Sequence, residues 1–396
     1  MRSEIEINIA TVWNDEQLGL WNGLRTETRS IHSVFGSRQQ QLVGHGRAPG
    51  DVPPVSDERI VSHARAAREL GIEFLYLLNG RCEHIDFSIP SVLSQFMADL
   101  EWIVEEVLAD VIIVADLRIA QLIRTCYSPA RVGIRVSTIA GVSKPKDLEP
   151  WLALGIDGVV LHHDVGRDFS LLRHFARELR DKTPDVEIEL LLNESCLPRC
   201  SARDAHYARL AREKLDYVEG FQQNCNIPKF QDPSLILAAC WIRPEDVDIY
   251  YDLGIRRFKI AGREMPGHWL DNTARAYLSG KYEENLIELF TMTPPGLNAT
   301  AAEIVFLDNR ALSGFVADIQ KNPGHERAVY QKWARDLWQA GRFVIRDPGA
   351  SYRMDERIRC SQPGEHFQRL IELQEVSDPE FAKRKPDAKQ LFQIQI

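Results

Sequence analysis

Between residues 5 and 260, eight short runs rich in apolar and β-branched residues alternate with segments of helical periodicity. The runs are 5–11 (IEINIAT), 31–36 (IHSVFG), 73–79 (EFLYLLN), 111–116 (VIIVAD), 132–138 (VGIRVST), 158–163 (GVVLHH), 186–193 (VEIELLLN) and 256–260 (RRFKI). The helical segments are 15–25, 57–70, 91–108, 118–125, 145–154, 170–182, 202–214 with 244–253, and 269–280. Buried strands separated by helices are those of a parallel sheet, because each crossover helix returns the chain to the same end of the sheet. Eight units in succession predict an α/β fold, a (β/α)8 TIM-barrel-like domain with a C-terminal extension, against the alternative of an open doubly wound sheet.

Local signals support the helix boundaries. Ser56 precedes Asp57 and Glu58, so a hydroxyl can cap free amides while carboxylates meet the positive helix end. Gly71 and Gly155 follow Leu70 and Leu154, where a left-handed residue closes a helix. Two connections, 37–56 and 194–243, are too long to be simple turns, and loops of that length in a compact domain carry function or are disordered. Both follow strand ends and are expected on the catalytic face of a barrel. The alternation stops near residue 282. We therefore expect a barrel over 1–281 with a cysteine-rich insertion at 194–243, and an extension over 282–396 that packs on the barrel. Within that extension AEIVFLDN reads as extended, HERAVYQKWARDLWQAG as a helix, and DPEFAKRKPDAKQ as a loosely ordered arm.

Composition narrows the partners. A net charge of −9 supplies no broad basic surface, so generic binding to nucleic acid is disfavoured. No apolar run reaches the 18 or so residues that would span a bilayer. The opening MRSEIEINIATVW turns charged and strand-like at once, without the apolar core of a signal peptide, so a cytoplasmic, reducing setting is expected.

In such a setting clustered cysteines point to metal or catalysis rather than to disulfides. Four of the seven, Cys196, Cys200, Cys225 and Cys240, fall within 45 residues at intervals of three, 24 and 14. The first two can share one metal centre across a single turn, and the others must arrive from separate segments. Four thiolates suit a 4Fe-4S cluster, and three would leave one iron open to substrate. Zinc is the alternative, although paired C-x-x-C knuckles are missing. Cys240 also reads as a packing residue of a buried strand, LILAACWI. Cys82, Cys126 and Cys360 are expected to be dispensable.

If the barrel forms, its catalytic groups gather at the C-terminal strand ends. His162, His163, Lys259 and Arg263 are the candidate catalytic residues, and Asn79, Arg167, Asn193 and Glu194 the candidate substrate contacts. Strand alternation sends His162 and His163 to opposite faces. Arg167, Lys259 and Arg263 would hold a small anionic substrate, unless Arg263 merely pairs with a rim carboxylate, Asp116 or Glu194.

Five segments carry a family resemblance: YLLNG (76–80), VGRDFSLL (165–172), LLNESCLPRCSARDAHY (191–207), WIRPEDVDIYYDLGIRRFKIAGRE (241–264) and DNRALSGF (308–315). In this order they resemble peptidase family U-32, the collagenase-like group. The resemblance implies a barrel, a cysteine-bound 4Fe-4S cluster, and FKIAGR as the eighth strand. It also implies one of two activities. Some members are associated with collagen degradation. Others hydroxylate the ubiquinone ring or RNA bases without O2, with prephenate implicated as the oxygen source. The C-x-x-x-C spacing here departs from those hydroxylases. Neither an H-E-x-x-H motif nor a G-x-S-x-G elbow supports hydrolysis locally. The expectation is an iron-sulfur enzyme performing hydroxylation or related redox or desulfurising chemistry. The alternatives are a peptidase and a non-catalytic iron-sulfur subunit that binds a protein partner through its C-terminal region.

Overall fold

The computed structural model describes residues 4–211, 225, 226, 228, 229, 232–292 and 301–345. Eight parallel strands close into a barrel in chain order, with β8 returning to pair with β1. They are β1 Ile5–Ala10, β2 Arg29–Gly36, β3 Glu73–Leu78, β4 Val111–Val114, β5 Gly133–Val136, β6 Gly158–Val160, β7 Glu187–Leu191 and β8 Arg257–Ile260. Each of the eight strands expected between residues 5 and 260 is present, although β6 stops at Val160, short of the expected residue 163. The open-sheet alternative is excluded by the β8 to β1 pairing.

The helices form where capping and apolar spacing agree. The helix α1 spans Asp15–Gly23, and α2 spans Asp57–Glu69. In α2 the Ser56 hydroxyl accepts from Arg59 N at 3.2 Å, and Ile60, His63, Ala64 and Ala67 form the buried stripe at helical spacing. Gly71, at φ +73°, closes it. The segment expected as one helix over 145–154 is instead a 3-10 turn, Pro145–Leu148, followed by one α-turn, Glu149–Leu152. Pro150 has no N–H to donate to the carbonyl of Lys146 and its ring crowds that turn, so one α-helix cannot run through 145–154. LILAACWI is likewise not a strand: Ser234–Ala238 is a short helix. Asp232 starts it by accepting from Ser234 N and Ser234 Oγ.

The strand register fixes what fills the bore. Asn8 pairs with Ser33 and Lys259, Glu6 and Glu189 with Arg257, Ser33 with Glu73, and Gly158 with Arg135 and Glu187. Paired residues of parallel strands share a face. Hydrogen bonds from Asn8 and from Arg135 to Glu189 join strands that are not neighbours, so this face is the interior. Barrel interiors are usually layered with branched aliphatic residues, whereas this one is charged.

The chain divides into two compact units. The barrel unit comprises residues up to 192 with 204–211 and 244–280. The second gathers 193–203, the described residues of 225–243, and 281–345. In it Trp241 stacks between Phe290 and Phe315, with ring centroids 5.4 and 5.8 Å away. Arg243 donates to Asn309 O at 2.9 Å. The expected extended segment appears as strand β9, Val305–Leu307, antiparallel to β10, Phe343–Ile345. The expected helix is Glu326–Gln339. The arm DPEFAKRKPDAKQ and Cys360 lie outside the described residues. No helix among the described residues is long and apolar enough to cross a membrane.

Candidate functional site

The loop 37–56 folds over the barrel mouth. Two glycines allow this: Gly80 N donates to Gly44 O at 2.6 Å, and a Cβ on Gly80 would lie 2.7 to 2.8 Å from the Gly44 backbone. The loop is also held by Arg263, which follows β8. Its guanidinium donates to Ser37 Oγ at 3.3 Å and to the carbonyl of His45. Arg47 pairs with Glu264 at 3.1 Å. Arg263 is thus a loop anchor rather than a partner of Asp116, which is occupied by Arg118 and the Cys82 thiol.

Beneath the loop, Lys259 Nζ lies 3.9 Å from the centre of the Phe35 ring. Burial pushes this ammonium down to about 8, with Glu189 opposing and Arg135, Arg263 and Arg47 assisting. Burial and Arg47 pull Arg263 down to about 9, which leaves it cationic at neutral pH. Burial and the Arg263 charge hold His45 neutral, at about 3. Its Nε2 is 2.9 Å from the carbonyl of Gln39, so that nitrogen carries the proton. Asn79 donates to Ser137 Oγ at 3.0 Å. Among the described residues, His45 Nδ1 and Asn79 Oδ1 remain as buried acceptors with no hydrogen-bond partner. The mouth therefore offers desolvated cations and unpaired acceptors, the complement of an anion that also carries a hydrogen-bond donor.

Below the mouth runs a connected polar column. Ser33 Oγ donates to Asn8 Oδ1 at 2.6 Å, and Asn8 Nδ2 donates to Glu189 Oε1 at 2.8 Å. Arg135 donates to Glu189 at 3.3 Å and to Asp157 at 2.8 Å. Gly158 makes the room, since a Cβ there would sit 3.1 Å from Arg135 Nε. None of these residues had been singled out, yet the polar alternation in IEIN, EIEL and RFKI was a readable signal of an inward charged face.

The two histidines depart from expectation. The strand β6 ends at Val160, so strand alternation does not govern them. His162 starts a 3-10 turn, with Nδ1 3.5 Å from Asp164, while His163 is buried and bonds Tyr207 Oη at 2.6 Å. Their rings meet edge to face, 5.7 Å apart. Tyr207, also missed in the sequence, packs with Ala48 of the loop and with Ile139 and Leu210. Arg167 is buried just after this turn.

A second unforeseen group lies where β1 ends. His63 Nδ1 and Asp15 Oδ1 are 2.5 Å apart, and His63 Nε2 and Thr11 Oγ1 are 2.7 Å apart. Arg59 grips Asp15 with two bonds of 2.8 Å. The order resembles a hydrolytic triad, but Thr11 and His63 are fully buried, so the group acts as a latch between β1, α1 and α2.

The candidate metal ligands belong to the second unit. Cys196 and Cys200 flank a turn that Arg203 closes by donating to Leu197 O at 2.6 Å. Desolvation pushes the Cys196 thiol up, Glu194 and Cys225 add to the effect, and Arg203 and Lys229 oppose it. Cys196 and Cys225 are therefore close enough to sense each other's charge although 28 residues separate them. Cys225 Sγ is 4.0 Å from the ammonium of buried Lys229, which donates to Asn226 at 2.8 Å. Cys240 is buried in the segment between the helix Ser234–Ala238 and Trp241. Asn193 is buried, and Glu194 accepts from Ser195 N at 3.1 Å. Two thiols from separate segments, one raised by the other and the second 4.0 Å from a buried lysine, fit an anionic, thiolate-ligated metal group.

No family model matches the chain. It is 25% identical over 300 residues to the uncharacterized protease MJ1657 of Methanocaldococcus jannaschii, covering 74% of this chain and 83% of that protein. Among solved structures it is similar to the U32 peptidase Mk0906, with a TM-score of 0.46 and 14% identity over 67% of this chain and 96% of that one. It is also similar to a putative fructose-1,6-bisphosphate aldolase from Coccidioides immitis, with a TM-score of 0.34 and 12% identity over 70% and 86%.

Proposed function

We propose that this U-32-like chain is an enzyme that binds a small organic anion at its barrel mouth and carries a 4Fe-4S cluster on Cys196, Cys200, Cys225 and Cys240. The observation that carries the anion site is the pair Lys259 and Arg263, desolvated beneath loop 37–56. Burying two cations under a loop is unfavourable in the free protein, and an anion offsets that cost when it binds. Arg263 would orient a carboxylate while Lys259 acts as a point charge. The unpaired His45 Nδ1 and Asn79 Oδ1 favour substrates bearing a hydroxyl or amino donor.

For the cluster, support comes from the effect of Cys225 on the Cys196 thiol and from the Lys229 ammonium, which would offset cluster charge. When bound, such a cluster supplies redox or Lewis-acid chemistry, consistent with oxygen-independent hydroxylation or a related redox or desulfurising reaction. Two measurements test the reading. Anaerobically purified protein should be brown, with about four iron and four sulfide per chain. Calorimetry under nitrogen should show prephenate or another dicarboxylate binding to the wild type, and binding about tenfold or more weaker in Arg263→Lys and Lys259→Met. Equal binding by both variants would sink the anion site.

Hydrolysis of peptides is the second reading, favoured by the description of the relative as a protease. Colourless protein with one zinc per chain that cleaves gelatin would select it.

A further inference from the structure

We infer that Glu189 is a positioning residue for the mouth: its carboxylate, fixed across the bore by Asn8 and Arg135, is the counter-charge that keeps the Lys259 ammonium cationic and able to hold an anion. This rests on the anion site proposed above. Glu189 pairs with Arg257, and Lys259 lies two residues further along β8, on the same inner face and nearer the mouth. Asn8 pairs with Lys259 in the strand register and donates to Glu189 at 2.8 Å, so the carboxylate is held by the residue beside Lys259 on the next strand.

The charged groups acting on Lys259 come from four places. Glu189 is on β7, Arg135 on β5, Arg263 follows β8, and Arg47 is on the loop. Glu189 is the acid in that set, and the three arginines favour loss of the proton. On Glu189 the cations Arg135, Lys259 and Arg257 act together, with the Asn8 amide. Asp157 takes the other nitrogen of Arg135, so that guanidinium does not neutralise Glu189 alone. Packing does not account for the arrangement. A fully buried carboxylate stabilises a fold no better than a hydrophobic residue of similar volume. Its distinctive effect is its charge, and the ammonium next along the bore is where that charge is felt.

The test uses the full chain labelled with ε-13C lysine, the Lys259 signal being identified by its loss in Lys259→Met. In the wild type the signal should titrate near pH 8. In Glu189→Gln, which keeps a side-chain oxygen for Asn8, the midpoint should fall by about one pH unit or more, and dicarboxylate affinity at pH 8 should fall about tenfold with its pH profile displaced alike. An unmoved Lys259 midpoint overturns the inference. If the variant does not fold, the wild type still decides. The side-chain 13C signal of Glu189 should shift with the midpoint of Lys259, and a signal flat across that range overturns the inference. A midpoint that moves in a protein that binds no dicarboxylate supports the role of Glu189 while refuting the anion site.

Discussion

Lys259 shows how one buried charge bears on stability and on the proposed anion binding. An ordinary lysine titrates at 10.5, and burial brings this one to about 8. The folded state therefore binds fewer protons than the unfolded chain between those values, so stability rises with pH across that window and the cost is complete below pH 8. At about 1.4 kcal/mol per pH unit the cost reaches about 3 kcal/mol. Lys259→Met should accordingly raise the urea midpoint at pH 7, with the gain gone near pH 10.5. Anion binding runs the other way. It should weaken as pH rises through 8, which calorimetry across pH 6.5 to 9.5 would register. The other residue of consequence is Gly80, whose α-hydrogen side faces the Gly44 backbone. Gly80→Ala has only backbone to collide with, so loop 37–56 should lift, with a stability loss of about 1–3 kcal/mol and weaker dicarboxylate binding. Unchanged thermal midpoint and affinity would refute that reading.

Elements were legible where short-range signals agree. The eight strands and the capped helices α1 and α2 follow from runs of β-branched residues, polar caps and closing glycines, all of which act within a few residues. The exceptions have local causes too. Pro150 divides one expected helix, and Asp232 turns LILAACWI into a helical turn. How elements are joined was less visible. Thr11, His63, Asp15 and Arg59 tie the end of β1 to α1 and α2 across gaps of up to 52 residues. His63→Leu removes the histidine partner of buried Thr11 and one of the partners of half-exposed Asp15, which keeps Arg59. It should cost about 2–4 kcal/mol, measured by urea denaturation, far more than an exposed substitution in α2 would.

At the scale of the whole molecule, the cysteine segments cluster with residues 281–345, although 244–280 separate them in sequence and belong to the barrel unit. Trp241 and Arg243, just beyond Cys240, are held by Phe290, Phe315 and Asn309. DNRALSGF is a scaffold here: Asp308 caps its own turn and pairs with Arg342, while Asn309 holds Arg243 and the carbonyl of Tyr282. A chain ending at residue 280 would keep all eight barrel strands and lose this support. After anaerobic reconstitution it should hold less than half the iron of the full chain; equal iron would show that the cysteines need no such scaffold. What the sequence determined by itself is the parallel barrel, the cysteine grouping, and Lys259 and Arg263 at a strand end, because periodicity, turn chemistry and ligand chemistry are properties of neighbouring residues. Tertiary structure alone decided that Arg263 anchors the loop, that Tyr207 meets His163, and that Glu189 stands across the bore from Arg135. Each of those joins residues 44 to 226 positions apart, and such pairs are selected by barrel closure and strand register.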